Sequence, residues 1–188
     1  MKKLVTLAVV TLFVFTANAQ QQGTQDLSLT AGFFTSNEIL NIFEETISGS
    51  TFSNASTTPA IGLTYKYAIK DNWFFFADGV YQSITEDVNE NNVKIGDVSH
   101  NFFAVGFGTE YHYIARDWFQ MYSGGSIAYA SQNSDYTTSS PNYEDESDGL
   151  FNYQINALGF RFGRSFAGVL ELGFGYKGVV NAGISYQF

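Results

Sequence analysis

Cysteine is absent from this sequence, and only two of its 188 residues are proline. Without cysteine, the chain can form neither a disulfide framework nor a thiolate metal site. Long apolar runs are also lacking: beyond residue 20, no segment approaches the roughly 18 consecutive apolar residues of a membrane-spanning helix. These absences exclude a helical membrane protein and leave a fold that depends on hydrogen bonds and packing alone.

Aromatic residues and glycine are abundant instead, with 18% Phe, Trp and Tyr and 18 glycines. A soluble domain has less apolar surface to cover than a protein embedded in lipid, so this aromatic content favours the lipid-embedded class. The overall hydropathy is only modest, as expected if alternate residues of each strand face lipid. The composition therefore favours a membrane protein built from β-strands.

The first 19 residues form a separate unit. Two lysines precede an apolar stretch at 4–17, and Ala17-Asn18-Ala19 has the small-x-small form of a cleavage site. The stretch is shorter than the roughly 20 residues that a membrane helix needs. We therefore predict a secretory signal peptide at residues 1–19, which exports a single mature domain, residues 20–188.

The end of the chain shows the clearest two-residue period. Large apolar residues occupy most second positions from Phe166 to Tyr176, and every second position from Val180 to Phe188. Glycine, serine, asparagine or a charged residue stands between them. This alternation predicts two strands with one face toward lipid and the other toward a narrow polar interior. In this interpretation Tyr176 faces lipid and Lys177 faces the interior.

The same alternation extends through the chain and predicts eight strands of the length that crosses a bilayer when tilted. Besides the final pair, they lie at about 26–34, 59–69, 73–84, 100–113, 118–130 and 150–160. The predicted fold is all-β: an eight-stranded antiparallel up-and-down transmembrane β-barrel. The alternation slips near Arg161, where the register stays open.

Short and long connections sort onto opposite sides of this barrel. Three short turns, at 70–72, 115–117 and near 163–164, fall on the side of both termini, which is the periplasmic side in such barrels. The long connections, 35–58, 85–99 and 131–149, fall outside. Four aromatic residues flank the short turns and predict an aromatic girdle at the inner interface; they are Trp73, Trp118, Tyr67 and Tyr113.

Charge sorts in the same way. The three long connections hold 12 of the 18 acidic residues and one base, Lys94. The net negative charge of the mature chain is therefore expected on the outer face, where it predicts cationic surface partners or divalent cations and disfavours nucleic acid. Segment 143–148 offers carboxylates to calcium but lacks the spacing of an EF-hand loop, so a solvated acidic loop is favoured.

Three segments carry a resemblance to a known family: 68–73 as a periplasmic turn, 171–178 as a strand entering its turn, and 183–188 as the chain ending. With them, the chain from about residue 24 resembles the small outer-membrane β-barrel proteins of Gram-negative bacteria, the family that includes outer-membrane protein A-type and opacity-type barrels. The resemblance implies localisation in the outer membrane. It also implies that Ile184, Tyr186 and Phe188 form a C-terminal signal for the barrel assembly machinery.

Six ionisable residues fall on inward positions of the predicted strands: Lys66, Asp78, Glu110, His112, Glu171 and Lys177. Unpaired charges in a narrow interior cost several kcal/mol each, so a connected network is expected, with Lys66 diagonal to Asp78. An eight-stranded barrel is just wide enough to be filled by side chains, which favours a polar plug. The alternative is a narrow pore lined by the same residues.

Catalysis is not expected. Glu110 and His112 are two residues apart and could form a base with its orienting group, and His100, Ser99 and Ser126 offer further acid–base or hydroxyl groups. No serine can be placed beside a histidine from the sequence. We therefore assign no catalytic residue, no metal and no cofactor.

The sequence does not decide between two conformations for the first long connection. Residues 36–47 carry apolar side chains at helical spacing behind two possible caps, Ser36 and Asn37, which is compatible with an amphipathic helix on the barrel rim. A strand extension above the membrane is the alternative.

The predicted function is that of an integral outer-membrane barrel with a structural or surface-interaction role, acting through acidic outer loops around a closed polar interior. A low-conductance, porin-like channel is the alternative, and a barrel-borne hydrolase is a remote one. Membership of a barrel family does not by itself transfer an activity.

Overall fold

A computed structural model of the chain describes residues 22–36, 52–90, 93–138 and 146–188. These residues form nine strands: β1 (Gln25–Phe33), β2 (Phe52–Thr57), β3 (Ala60–Lys70), β4 (Trp73–Glu90), β5 (Val93–Ala115), β6 (Phe119–Thr138), β7 (Glu146–Gly163), β8 (Phe166–Gly175) and β9 (Val180–Gln187). The predicted signal peptide, residues 37–47 of the first long connection and residues 143–145 of the acidic segment lie outside the described residues. Within those residues, no helix has the length and hydropathy needed to cross a membrane.

Eight of the strands close into an antiparallel ring. β1 pairs with β3 on one side and with β9 on the other, and β4 pairs with β5, which joins the two ends of the sheet. The predicted eight-stranded antiparallel barrel is therefore confirmed, and with it the resemblance to small outer-membrane barrels at the level of the fold. The space inside the ring is called the lumen below.

β2 is the strand outside the ring. It pairs with the far part of β4, where β3 no longer reaches, so it continues β3 outward after a break at Thr58 and Pro59. Proline has no backbone N–H to donate to a ladder, which explains why the strand is interrupted there.

Alternation sorts the side chains as the sequence predicts. In β3, buried residues alternate with exposed ones from Ala60 to Tyr67. The exposed positions of the ring carry large apolar side chains, with relative exposures of 58% at Phe107 and 70% at Ile127, for example. Such a continuous apolar belt is typical of a surface that faces hydrocarbon rather than water.

The strands β4 to β7 extend further than the sequence predicts. β4 continues to Glu90, β5 begins at Val93, β6 continues to Thr138 and β7 begins at Glu146. The predicted long connections at 85–99 and 131–149 are therefore wrong in large part, because they are paired strand. The apolar alternation disappears there, since the outward positions are polar above the membrane, while the backbone ladder continues without it.

A bulge explains the slip near Arg161. The β7–β8 register shifts between Asn156 and Leu158, and the neighbouring Ala157 and Leu158 both face outward. The shift moves Arg161 to the inward face, where it is buried. A bulge inserts one residue into one strand and so reverses the face of all that follow.

The residues assigned to the girdle and to the chain ending all face outward. Trp73, Trp118, Tyr67 and Tyr113 are exposed at the end of the short turns, and Ile184, Tyr186 and Phe188 are exposed on β9 or directly after it. The indole N–H of Trp73 donates to the hydroxyl of Thr109 at 2.6 Å. The turn before Trp73 contains Asn72 with a positive φ of 66°, a conformation that asparagine tolerates.

Candidate functional site

The lumen holds the densest arrangement of charged side chains among the described residues. Five side chains from four strands form what we call the Glu110 cluster: Lys66, Glu110, His112, Tyr122 and Glu171. Lys66 Nζ lies 2.8 Å from Glu110 Oε2 and 3.7 Å from Glu171 Oε1. His112 Nε2 lies 2.8 Å from Glu110 Oε1, and the Tyr122 hydroxyl donates to Glu171 Oε1 at 2.8 Å. All five are buried.

Aromatic rings fix the geometry of this cluster. The imidazole of His112 lies between the rings of Phe74 and Tyr122, with centroid distances of 4.6 and 4.7 Å. Lys66 Nζ lies 4.5 Å from the centroid of the Tyr122 ring, a cation–π distance. The charged groups are therefore held by packing as well as by hydrogen bonds.

A second set lies further from the short turns than the Glu110 cluster does. We call it the Asp78 cluster; it contains Asp78, Ser126, Tyr176 and Lys177. Lys177 Nζ lies 2.7 Å from Asp78 Oδ2. The Tyr176 hydroxyl contacts Asp78 Oδ1 at 2.7 Å and the Ser126 hydroxyl at 2.8 Å. Asp78 is thus bound from two consecutive residues of one turn.

That turn, which joins β8 to β9, points into the lumen instead of out of it. β8 ends at Gly175 with a φ of 141°, and Gly178 has a φ of 104°. The Gln154 side chain binds the turn through both ends of its amide: the Lys177 N–H donates to Oε1 at 2.9 Å, and Nε2 donates to the Gly178 carbonyl at 3.1 Å. A Cβ at Gly106 would collide with the Tyr176 hydroxyl, so this glycine makes room for the turn.

These contacts correct two sequence interpretations. Lys66 does not pair with Asp78: its side chain reaches past β4 to Glu110 on β5, while Lys177 binds Asp78. Tyr176 does not face lipid: it follows the end of β8 at Gly175, so strand alternation no longer sets its direction, and it is buried inside.

A third interaction, the Asp26–Arg161 pair, was not predicted from the sequence. Arg161 Nε lies 3.2 Å from Asp26 Oδ2 and donates to Ser185 Oγ at 2.8 Å. Asp26 stands two residues before the inward Ser28, so continuing the alternation by one step would have found it. Arg161 gave no such signal, because the bulge in β7 precedes it.

The space left between these groups is very small. A cavity of about 10 Å³ is lined by, among others, Asp26, Lys66, Glu110, His112 and Arg161. Asp26 Oδ1 and His112 Nδ1, both buried, have no hydrogen-bond partner among the described residues. This volume is about the minimum for one water molecule, which would satisfy such atoms. The cavity is too small for an organic ligand.

Of the groups considered for acid–base chemistry, Glu110 and His112 are brought together, but neither Ser99 nor Ser126 contacts a histidine in the described part of the chain. His100 Nδ1 lies 2.8 Å from the Ser134 hydroxyl, whereas Ser99 contacts Thr85 and Ser126 contacts Tyr176. His112 is bound to Glu110, with aromatic rings on both sides. Among the residues described, no group of three or more His, Cys, Asp or Glu side chains is arranged to hold a metal ion.

Above the apolar belt, the outward side chains of the extended strands are polar and acidic. Asp87 and Asp97 stand directly opposite each other on β4 and β5. Lys94 lies between them, with its Nζ at 2.8 Å from Asp87 and 2.6 Å from Asp97. These hydrogen bonds raise the pKa of Lys94 above its ordinary value. The bridging lysine offsets the repulsion between two facing carboxylates.

The sequence matches no protein-family model and no curated protein. The structure is similar to two crystal structures of Ail, the attachment invasion locus protein of Yersinia pestis. The structure of Ail in complex with the heparin analogue sucrose octasulfate aligns with a TM-score of 0.47 and 11% sequence identity, and a second structure of Ail aligns with 0.45 and 12%. Both alignments cover 89% of this chain and 100% of the other.

Proposed function

We propose that this eight-stranded barrel resides in the outer membrane, that its interior is a closed structural plug, and that it functions by interaction at its outer surface. The observation that supports this most directly is the small cavity of about 10 Å³ among paired charges. A channel needs a continuous water path past Lys66, Glu110 and Glu171. A surface protein needs only its outer strands and connections.

The route to the membrane follows from the two ends of the sequence. Residues 1–19 act as the export signal, and Ile184, Tyr186 and Phe188 act as the signal for the outer-membrane assembly machinery. Outer-membrane lipids then cover the apolar belt, and Trp73, Trp118, Tyr67 and Tyr113 lie at the inner interface, where amphipathic rings are favoured.

The outer surface favours cationic partners, or divalent cations as bridges. Among the described residues above the belt, the acidic side chains Asp135 and Asp148 accompany Asp87 and Asp97, whereas Lys94 is already bound between the last two. Electrostatic complementarity of this kind steers association and selects partners more than it adds affinity. Neither an enzymatic activity nor a nucleic-acid partner is proposed.

Two measurements on the refolded chain 20–188 test this function. In a planar bilayer, the inserted barrel is expected to give no conductance steps. In zwitterionic micelles, polylysine is expected to bind, and its binding should weaken with salt because screening shortens the Debye length to about 3 Å at 1 M. Asp97→Asn, Asp135→Asn and Asp148→Asn together should weaken binding, whereas Asp71→Asn and Asp117→Asn, on the short turns, should not.

The channel alternative has its own signature. Discrete conductance steps whose ion selectivity changes with Glu110→Gln or Glu171→Gln would establish a pore lined by those residues and overturn the closed plug. Equal polylysine binding by the two sets of aspartate variants would contradict the outer face as the site of interaction.

A further inference from the structure

The wall of the barrel has unequal height on its outer side. β7 pairs with β6 from Glu146 onward, opposite Ser134, whereas β8 reaches only as far as Gly175, opposite Gln154. Among the described residues, positions 147–153 of β7 therefore have a strand neighbour on one side only. We call this stretch the β7 edge.

Alternate residues of this edge direct their backbone N–H and C=O groups away from β6, toward the open side. Tyr153 uses its open side for the turn and for a neighbouring side chain: its carbonyl accepts from the Tyr176 N–H at 3.2 Å, and its N–H donates to Asn152 Oδ1 at 2.8 Å. In an antiparallel ladder, successive residues direct their N–H and C=O groups to opposite sides. Ser147, Gly149 and Phe151 therefore direct theirs to the open side.

The side chains of the edge are also exposed on both faces of the sheet. Phe151, on the outward face, has a relative exposure of 82%, and Leu150, on the inward face, has 39%. Asp148 is exposed beside them. Proteins usually protect an unpaired edge with a bulge, a proline or an inward charge. Residues 147–153 contain no proline and no register shift toward β6, and their one charged side chain, Asp148, is exposed on the same inward face as Leu150.

We propose that the β7 edge binds an extended, cationic segment of a partner protein by strand addition. The proposal rests on the proposed surface function and adds its location and the conformation of the partner. The open N–H and C=O groups supply the backbone bonds, Leu150 and Phe151 supply apolar contacts on the two faces, and Asp148 selects for positive charge. A segment with alternating basic and apolar residues fits this pattern.

Charge also favours this occupant over a second copy of the chain. Pairing two β7 edges would bring two copies of the exposed Asp135 and Asp148 together. Neither carboxylate takes part in a described salt bridge. Like charges brought together oppose association. A cationic strand meets no such repulsion.

The experiment uses two capped synthetic heptapeptides of alternating lysine and valine, identical in charge. One has a normal backbone, and the other is N-methylated at alternate residues, which removes the donors needed for strand addition. Binding to the refolded chain 20–188 in zwitterionic micelles is measured by fluorescence anisotropy. The normal peptide is expected to bind at least about tenfold more tightly, as the loss of two or three hydrogen bonds implies. It should also protect the amides of Gly149 and Phe151 from hydrogen exchange.

A matched pair of variants locates the site. Ser147→Pro removes an edge N–H and should reproduce the loss seen with the methylated peptide, whereas Ser147→Ala keeps the N–H and should bind like the parent chain. If Ser147→Pro fails to fold, the comparison of the two peptides on the parent chain still decides the question.

The outcomes separate this inference from the surface function. Equal binding of both peptides would overturn strand addition while leaving a charge-based surface interaction in place. Binding of neither peptide, nor of polylysine, would overturn both. If replacing residues 38–50 by a short glycine–serine linker raised the affinity at least about tenfold, the chain's own connection would be the occupant, and the proposal of a partner would be wrong.

Discussion

At the scale of single residues, the charges of the lumen are held by shared partners rather than by isolated pairs. Glu110 accepts from Lys66 and contacts His112, and Lys66 also lies near Glu171. Buried ionised groups of this kind depend on their partners, because desolvation leaves an unpaired charge strongly destabilised. The loss of one lysine therefore affects two carboxylates at once.

Substitution Lys66→Met is expected to lower the free energy of unfolding by about 3–5 kcal/mol, because it leaves Glu110 and Glu171 buried without their cation. Urea unfolding of the refolded protein, followed by tryptophan fluorescence, measures this effect. Lys94→Met is the control: it removes an exposed ion pair and should change the urea midpoint very little. Similar midpoints for both variants would argue against the Glu110 cluster as a stabilising unit.

Two glycines offer a second residue-scale test. Gly106→Ala places a methyl group against the Tyr176 hydroxyl and Asp78, whereas a methyl group at the lipid-facing Gly79 has no described atom within 4 Å. Overpacking of this kind costs about 1–3 kcal/mol, so Gly106→Ala should unfold at lower urea concentration and Gly79→Ala should not. The opposite order would mean that the inserted turn is not tightly packed.

At the scale of elements, the β8–β9 turn and the Glu110 cluster close the lumen in two successive layers. Tyr176 fills the outer layer against Asp78, and Tyr122 fills the inner layer against Glu171. The two tyrosines stand on different elements, β6 and the β8–β9 turn, and each is bound to a different carboxylate. Either layer alone is therefore expected to block the passage of ions.

This arrangement predicts a non-additive effect on conductance. Neither Tyr176→Ala nor Tyr122→Ala should produce conductance steps in a planar bilayer, whereas the double variant should. Heat-modifiable migration in gel electrophoresis, which distinguishes folded from unfolded barrels, checks that each variant is folded. Steps from either single variant would show that the lumen has one barrier rather than two.

The elements also show what sequence alternation can and cannot predict. Within the belt, a two-residue period of apolar side chains predicted the eight ring strands and the inward positions of Glu110 and Glu171. Lipid outside and polar packing inside impose that period. Above the belt, polar residues replace the apolar ones at the outward positions, so the extensions of β4 to β7 could not be located, although inward residues such as Val88 and Val98 remain buried there. Arg161 and Tyr176 were missed or misplaced because a bulge and a turn reset the alternation.

At the scale of the whole molecule, the ring is closed by its first and last strands. Gln25 and Phe188 exchange two backbone hydrogen bonds at 2.9 Å, and β1 and β9 remain paired from Asp26 to Phe33. The Phe188 side chain contributes little to this seam, because it faces outward and is exposed. The seam and the proposed assembly signal therefore use different parts of the same residue.

Substitution Phe188→Ala separates these roles. Unassisted refolding into detergent micelles should proceed with a yield close to that of the parent chain, because the backbone bonds to Gln25 remain. Insertion catalysed by the purified assembly machinery in vesicles should be slower, because the aromatic end of the signal is lost. Equal rates in both assays would argue against a signalling role for this side chain, and Gln187→Ala serves as the control.

Ring closure between the first and last strands also sets a time constraint on biogenesis. β1 is the first and β9 the last of the described strands, so β1 finds its second partner only after the strands between them have been made. Contacts between such distant parts of a chain form slowly, and an unpaired strand edge is prone to aggregation while it waits. Until β9 pairs with it, β1 therefore keeps one edge that is open to incorrect pairing, and the ring stays unclosed.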